Sequence, residues 1–178
     1  MEYKLHVYNQ EIITESTMAL LPHYTNTGHL HCTLLETFGE TRIEQNTYFV
    51  LNESCVYYGG SFDGSLKSTR RILKGQKNLP IMVSIPLEYC MIPLGSPMKK
   101  DTAWVAYHHI EDVKQKGLNS IIIFYNQVKL EVNVSEDVLM RRIEKAGHLI
   151  TTYHFRQKTP KSQKRGNMIA DDHGEYLR

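Results

Sequence analysis

Residues 54–110 read SCVYYGGSFDGSLKSTRRILKGQKNLPIMVSIPLEYCMIPLGSPMKKDTAWVAYHHI. Three of its runs are rich in apolar, aromatic and β-branched side chains and predict buried strands: 55–58, 81–85 and 103–110. The connections between them, 64–80 and 94–101, contain glycine and clustered cations. The stretch therefore predicts a sheet with charged connections at its surface.

The segments on either side of this stretch also favour strands. Further short strands are predicted at 3–8, 29–37, 47–52, 66–73 and 89–92. Pro22 is expected to end any element formed by residues 11–21. Residues 120–125 and 128–134 are β-rich and separated by two residues, which predicts a hairpin.

One packing helix is predicted, at residues 136–155. Ser135 is a suitable N-cap, and Glu136 and Asp137 suit the positive end of the helix dipole. An apolar stripe at helical spacing consists of Leu139, Ile143, Ala146, Ile150 and Tyr153. The predicted fold class is thus α+β, with predominantly antiparallel β-strands and a packing helix near the C-terminus.

The domain organisation follows from a change in composition after this helix. Residues 156–165 hold five basic side chains, a proline and no acid. We expect a single α+β domain over residues 1–155 and a basic, flexible C-terminal tail over residues 156–178.

Charge is distributed unevenly along the chain, although the net charge is only +2. Residues 1–53 sum to −5, residues 54–104 to +4, residues 105–155 to zero and residues 156–178 to +3. This asymmetry is typical of proteins that bind a polyanion. The alternative is that acidic and basic blocks interleave in space and cancel.

The cysteines and the N-terminus argue against secretion. The chain has three cysteines, an odd number, and no CxxC pair. Its first ten residues lack the basic and apolar regions of a signal peptide, and no apolar run is long enough to span a membrane. We expect a reduced, soluble protein of the cytoplasm.

No residue pattern indicates an enzyme. The chain has neither a GxSxG nucleophile elbow nor a Walker A loop. His29, His31 and Cys32 lack a second cluster that would complete a zinc site. His108 and His109 are adjacent, and on a strand they would face opposite ways. We expect no catalytic residues, no metal and no cofactor.

The basic side chains are the strongest functional signal, because lysine and arginine neutralise phosphates of nucleic acids. The predicted DNA-binding residues are Lys67, Arg70, Arg71, Lys74, Lys77, Lys99, Lys100, Lys161, Lys164 and Arg165. Arg70 and Arg71 are the best candidates for insertion into a narrow minor groove. The scaffold is expected to rest on Trp104, Ile81, Val83, Tyr57 and Tyr58.

A collinear set of residues also carries a resemblance. The set comprises Ser54-Cys55, Tyr57-Tyr58 with Gly59, the basic run, Pro80-Ile81-Met82-Val83, Pro93, the 96–100 loop, and Trp104 through His108 to Ile110. In this order it resembles the ComK family of competence transcription factors, and residues 120–155 follow the family's order. The first 50 residues fit only in length and position.

The resemblance implies an activator of genes for DNA uptake and recombination. It implies recognition of A·T-rich boxes through the minor groove, DNA bending, and binding as paired dimers. The implied partners are double-stranded promoter DNA, a second copy in a homodimer or tetramer, RNA polymerase, and an adaptor to a Clp protease. The implied location is the cytoplasm, in association with the nucleoid.

Two alternatives assign the chain to other functional classes. The first is a cytosolic regulatory domain that binds proteins and never contacts DNA. The second is a small hydrolase or nuclease that uses His29, His31, Asp63 or His109.

Overall fold

The structure, a computed structural model, describes residues 11–158, which form nine strands and three α-helices. In chain order these are β1 (Thr17–Tyr24), β2 (Leu30–Glu36), β3 (Gly39–Ile43), α1 (Thr47–Tyr57), α2 (Phe62–Ile72), β4 (Ile81–Ser84), β5 (Tyr89–Pro93), β6 (Trp104–Ala106), β7 (Ile110–Lys116), β8 (Asn119–Phe124), β9 (Lys129–Val132) and α3 (Glu136–Lys158). A 3-10 turn, Tyr107–His109, joins β6 to β7. The strand predicted at 3–8 lies outside the described residues.

The strands form two antiparallel sheets. The larger sheet has the order β3-β2-β1-β6-β5-β4, and the smaller has the order β7-β8-β9. Each pair of neighbours is antiparallel. The predicted α+β class, with mainly antiparallel strands and a helix near the C-terminus, is confirmed.

The larger sheet is covered on both faces, because alternate residues of its strands enter different cores. In β4, Ile81 and Val83 join one core, while Met82 between them joins another. All four residues of β4 are therefore buried. A strand with both faces covered reads as a continuous apolar run, and this is why 81–85 was recognisable in the sequence.

Helices α1 and α2 cover the first face of the larger sheet. Phe62 is fully buried there, with its ring 4.8 Å from that of Tyr48 and 6.2 Å from that of Trp104. Both ring pairs have edge-to-face geometry, the arrangement that aromatic quadrupoles favour. One side chain of α2 thus connects α1 and the centre of the sheet.

The smaller sheet and α3 cover the second face. Met18 and Val105 of the larger sheet share a core with Ile122 and Leu139. The predicted hairpin and helix are confirmed as β8–β9 and α3. Along α3 the buried residues are Leu139, Arg142, Ala146 and Leu149.

Residues 47–57 form α1, so the strands predicted at 47–52 and 55–58 are wrong. Asn46 caps this helix, since its side-chain oxygen accepts from the Phe49 backbone N–H at 3.0 Å. The buried residues recur at helical spacing: Thr47, Val50, Leu51, Ser54 and Cys55. Aromatic and β-branched residues favour strands only weakly, and here packing on the sheet overrides that preference.

Residues 66–73 were predicted to form a strand with alternating cations, and this prediction is also wrong. Residues 62–72 form α2, whose N-cap Ser61 accepts from the Gly64 backbone N–H at 3.1 Å. Phe62, Leu66, Thr69 and Leu73 are buried at spacings of four, three and four. That period belongs to a helix, and a strand would have exposed half of these side chains.

Two further boundaries differ from the prediction. Pro22 lies inside β1, opposite Cys32 of β2. Because β6 pairs with β1 only at Ala19 and Leu20, the strand at Pro22 has no ladder on its β6 side and tolerates the missing N–H. The strand predicted at 103–110 ends at Ala106, where the 3-10 turn begins.

Candidate nucleic-acid interface

The exposed face of α2 is cationic. Lys67, Arg70 and Arg71 lie at helical spacing, and all three are exposed. Lys67 and Arg71 lie away from the buried Leu66, while Arg70 lies beside it. Lys74 follows the C-cap residue and is also exposed. The helix thus places these cations on one side, whereas a strand would have distributed them between its two faces.

Among residues 11–158, no carboxylate forms an ion pair with these cations. In the part of the chain that the structure describes, the ion pairs are Lys114–Asp112, Lys116–Glu131 and His154–Glu88. None of them involves a predicted DNA-binding residue. Within residues 11–158, the acidic N-terminal block therefore does not neutralise the basic block through ion pairs.

The two charged connections meet at one groove of about 290 Å³. Arg70 and Lys77 line it from the first connection, and Ser96, Pro97 and Met98 line it from the second. Met98 is 59% exposed, so an apolar side chain is accessible in the groove that Arg70 and Lys77 also line. The groove joins positions that are 19 to 28 residues apart in the sequence.

The 94–101 loop is held in place by hydrogen bonds. The buried guanidinium of Arg142 donates to the Pro93 carbonyl at 2.8 Å. The Thr47 hydroxyl lies 2.9 Å from the carbonyl of Lys100, and the Thr102 hydroxyl donates to the carbonyl of Ser96 at 2.5 Å. The loop is therefore ordered before any ligand binds, which lowers the entropic cost of binding.

Lys99 faces a different groove from Arg70. It lines a cleft of about 480 Å³ that also contains Leu21 and Leu130. Lys100 is exposed, and its carbonyl anchors the loop to α1. Lys161, Lys164 and Arg165 lie outside the described residues. The structure thus brings together Arg70, Lys77 and the 96–98 turn, and it separates Lys99 from them.

The scaffold residues differ in their burial. Ile81, Val83 and Trp104 are buried, as expected. Tyr58 is partly buried, and its hydroxyl donates to the Ile13 carbonyl at 2.9 Å. Tyr57 is 63% exposed and contacts the ring of Tyr58 edge-on, so its assignment to the core is wrong.

Charges on α3 were missed by sequence reasoning. Arg141 and Lys145 line a groove beside the end of α2, and Lys145 Nζ donates to the Lys77 carbonyl at 2.8 Å. Residues 105–155 are neutral in sum, and this balance hid the local cluster. The sequence feature that could have indicated this cluster is the close spacing of three cations within residues 141–145, one of which, Arg142, lies on the buried stripe of α3.

The cysteines are protonated thiols at neutral pH. Burial raises the pKa of both Cys32 and Cys55 to about 12. It raises the pKa of the fully buried Cys90 as well. Nucleophilic cysteines instead have a lowered pKa and an electropositive, accessible setting.

The residues considered for a hydrolase occupy separate settings. His29 Nδ1 is 2.9 Å from the Thr27 hydroxyl in the β1–β2 turn, and the His31 ring contacts His23 edge-on. Asp63 lies in the first turn of α2, while His109 lies in the 3-10 turn. Over residues 11–158 no group of three or more histidine, cysteine or acidic side chains is placed to hold a metal ion.

His108 and His109 do not face opposite ways, because they lie in the 3-10 turn and not on a strand. Their ring centres are 4.3 Å apart, and both Nε2 atoms point at the Glu15 carbonyl, at 3.4 and 2.7 Å. Burial, and then the neighbouring His109, lower the pKa of His108 despite the opposing effect of Glu15.

This lowered pKa predicts a loss of stability in mild acid. The unfolded chain binds the His108 proton more tightly than the folded chain does. The contribution of His108 to the free energy of unfolding is therefore complete above about pH 6.5, and it is lost as the pH falls through the lower pKa of the folded state. Urea unfolding at about pH 7.5 and about pH 5.5 measures the difference. His108→Phe, which preserves the stack on Tyr89, should reduce this pH dependence.

His29→Gln is the matched control, because His29 is exposed and its ring, among residues 11–158, bonds only to Thr27 of its own turn. It should retain the pH dependence of the unmodified protein. An unchanged pH dependence in His108→Phe would contradict the assignment.

The fold and this surface define a class: a small α+β protein that displays an unpaired cationic helix face beside an ordered loop. Comparison with known sequences makes the assignment specific. The sequence model described as ComK protein matches residues 8–158, and the chain belongs to the ComK family. The chain is also 21% identical over 154 residues to a "Competence transcription factor" of Bacillus subtilis (strain 168), covering 85% of this chain and 80% of that protein.

No solved structure matches the chain at a significant level. Among the helices of residues 11–158, none is both long and apolar enough to cross a bilayer.

A family of transcription factors is not an enzyme class, which agrees with the expectation that this chain is not an enzyme.

Proposed function

We propose that this protein is a competence transcription factor that binds double-stranded DNA through α2 and the groove beside it. The observation that carries this proposal is the cationic face of α2, which forms no ion pair within the described residues. Aligned and unpaired cations release counterions from DNA when they neutralise its phosphates. Family membership supports the same role.

The proposal includes recognition of A·T-rich boxes through the minor groove, with bending of the DNA. Arginine is favoured in the narrow minor groove of A·T-rich DNA, where the negative potential is strongest. Arg70 and Arg71 are exposed near the C-terminal end of α2, and Arg70 lines the groove. Exposed Met98 supplies an apolar group at the same place, and such groups contact bases in bent complexes.

The test is equilibrium binding to A·T-rich and G·C-rich duplexes at several salt concentrations. The five cations of residues 64–80 should contribute about −4 to −5 to the slope of log K against log[salt]. We expect tighter binding to the A·T-rich duplex and competition by a drug that fills its minor groove. Binding that does not depend on salt would reject the proposal and favour the protein-binding regulatory domain.

Assembly and turnover complete the proposal and rest on family membership alone. We expect pairs of dimers on promoter DNA, contact with RNA polymerase, and delivery to a Clp protease by an adaptor. Footprinting at two protein concentrations tests assembly, since paired dimers should protect two boxes together. Degradation by purified Clp ATPase, protease and adaptor tests turnover.

A further inference from the structure

A second groove separates the end of α2 from α3. It measures about 300 Å³ and is lined by Leu73 and Gln76 on one side and by Arg141, Glu144, Lys145 and His148 on the other. The four α3 residues recur at spacings of three, one and three, so they form one helix face. This face lies away from the stripe that packs on the sheets.

The cations beside this groove repel one another. Burial lowers the pKa of Lys145, and the positive charges of Arg142 and Arg141 lower it further. Burial also lowers the pKa of Arg142, which is only 9% exposed. Holding like charges together opposes folding unless an anion neutralises them.

No carboxylate of the described chain neutralises them. Glu144 lines the same groove, yet neither Arg141 nor Lys145 is in an ion pair within residues 11–158. Arg141 Nε donates to the Asp137 backbone carbonyl at 3.1 Å, and Lys145 Nζ donates to the Lys77 carbonyl. Backbone carbonyls fix the positions of these cations without cancelling their charge.

The second groove is continuous with the first. Gln76 lines both grooves, and the adjacent Lys77 lines the first while its carbonyl accepts from Lys145. A path of cations therefore runs from Arg70 through Lys77 to Lys145 and Arg141. A polyanion that follows the surface from α2 meets α3 next.

We propose that Arg141 and Lys145 form a second phosphate-binding wall, which contacts the sugar-phosphate backbone of the same duplex that lies on α2. This inference rests on the proposed function and extends it from α2 to α3. It gives α3 a binding role in addition to packing. The ligand class is the phosphodiester groups of duplex nucleic acid.

The test is the salt dependence of duplex binding by Arg141→Gln/Lys145→Gln. Each lost phosphate contact lowers the magnitude of the slope by about 0.9, so the double variant should show a decrease of about 1.8. At about 0.15 M salt this corresponds to about thirty-fold weaker binding. Lys114→Gln/Lys116→Gln removes the same charge from β7, where both lysines are ion-paired, and should leave the slope unchanged.

The outcomes separate this inference from the proposed function. A normal slope in the α3 variant, with a reduced slope in an Arg70/Arg71 variant, would overturn the inference and leave the function intact. Equal losses in the α3 and β7 variants would overturn it too, since net charge alone would explain both. Absence of duplex binding by the unmodified protein would reject both proposals.

Circular dichroism and urea unfolding establish that each variant is folded. Arg141→Gln alone provides a second measurement, because it leaves the Lys145–Lys77 hydrogen bond in place. We expect it to reduce the slope by about 0.9. An unchanged slope in this single variant would exclude Arg141 from the wall.

Discussion

The Arg70→Ala/Arg71→Ala variant is expected to bind an A·T-rich duplex about thirty-fold more weakly than the unmodified protein at about 0.15 M salt. Both arginines are exposed in the last turn of α2 and lie outside the ion pairs of the described residues. Removing two phosphate contacts should reduce the magnitude of the salt slope by about 1.8. Alanine is a strong helix former, so α2 should persist.

A charge-preserving variant separates two modes of contact. Arg70→Lys/Arg71→Lys keeps both positive charges but loses the planar guanidinium that suits a narrow minor groove. If the arginines only neutralise phosphates, this variant should bind normally. If they enter the groove, its preference for A·T-rich over G·C-rich duplex should fall. Unchanged affinity in a folded alanine variant would remove α2 from the interface.

Phe62→Ala is expected to lower the free energy of unfolding by about 3–5 kcal/mol. The Phe62 side chain is fully buried and contacts the rings of Tyr48 and Trp104. Its removal leaves a cavity where α1, α2 and β6 meet, and these elements are fixed by other contacts and relax only partly. Such a loss is a large part of the stability of a domain of this size.

Urea unfolding of Phe62→Ala and of Phe38→Ala checks this prediction. Phe38 is 76% exposed, so its truncation should change the free energy of unfolding by less than about 0.5 kcal/mol. Because Phe62 begins α2, the core variant should also bind DNA less well near its midpoint of denaturation. A loss below about 1 kcal/mol would show that Phe62 is not central to this core.

The fold could be predicted from the sequence wherever local pattern and tertiary environment agree. Residues 81–85 read as a strand because both of their faces are covered, and α3 carries both its acidic first turn and its apolar stripe in sequence. For α1 and α2 the local sequence pattern and the tertiary environment conflict. Aromatic and β-branched residues in α1 favour a strand, while burial against the sheet requires a helix.

The sequence shows which cations belong to the candidate site, but it does not show how they are arranged in space. The cations of 64–80 are visible in the sequence, but a strand and a helix distribute them differently, and the strand was the wrong choice. Residues 105–155 are neutral in sum, so Arg141 and Lys145 appeared ordinary. Their position beside Lys77 depends on packing between elements that are about seventy residues apart.

Four properties could be read from the sequence: the α+β class, the hairpin with its following helix, the uneven charge and the family resemblance. These properties depend on local periodicity, composition and collinear motifs, which a linear chain carries directly. The tertiary structure alone decided that α2 is a helix with one cationic face, that Arg70 and Lys77 meet the 96–98 turn, and that α3 lies beside them. These spatial arrangements depend on which apolar surfaces are buried against each other. The residues that form those surfaces are far apart in the chain and meet only when the sheets and helices pack.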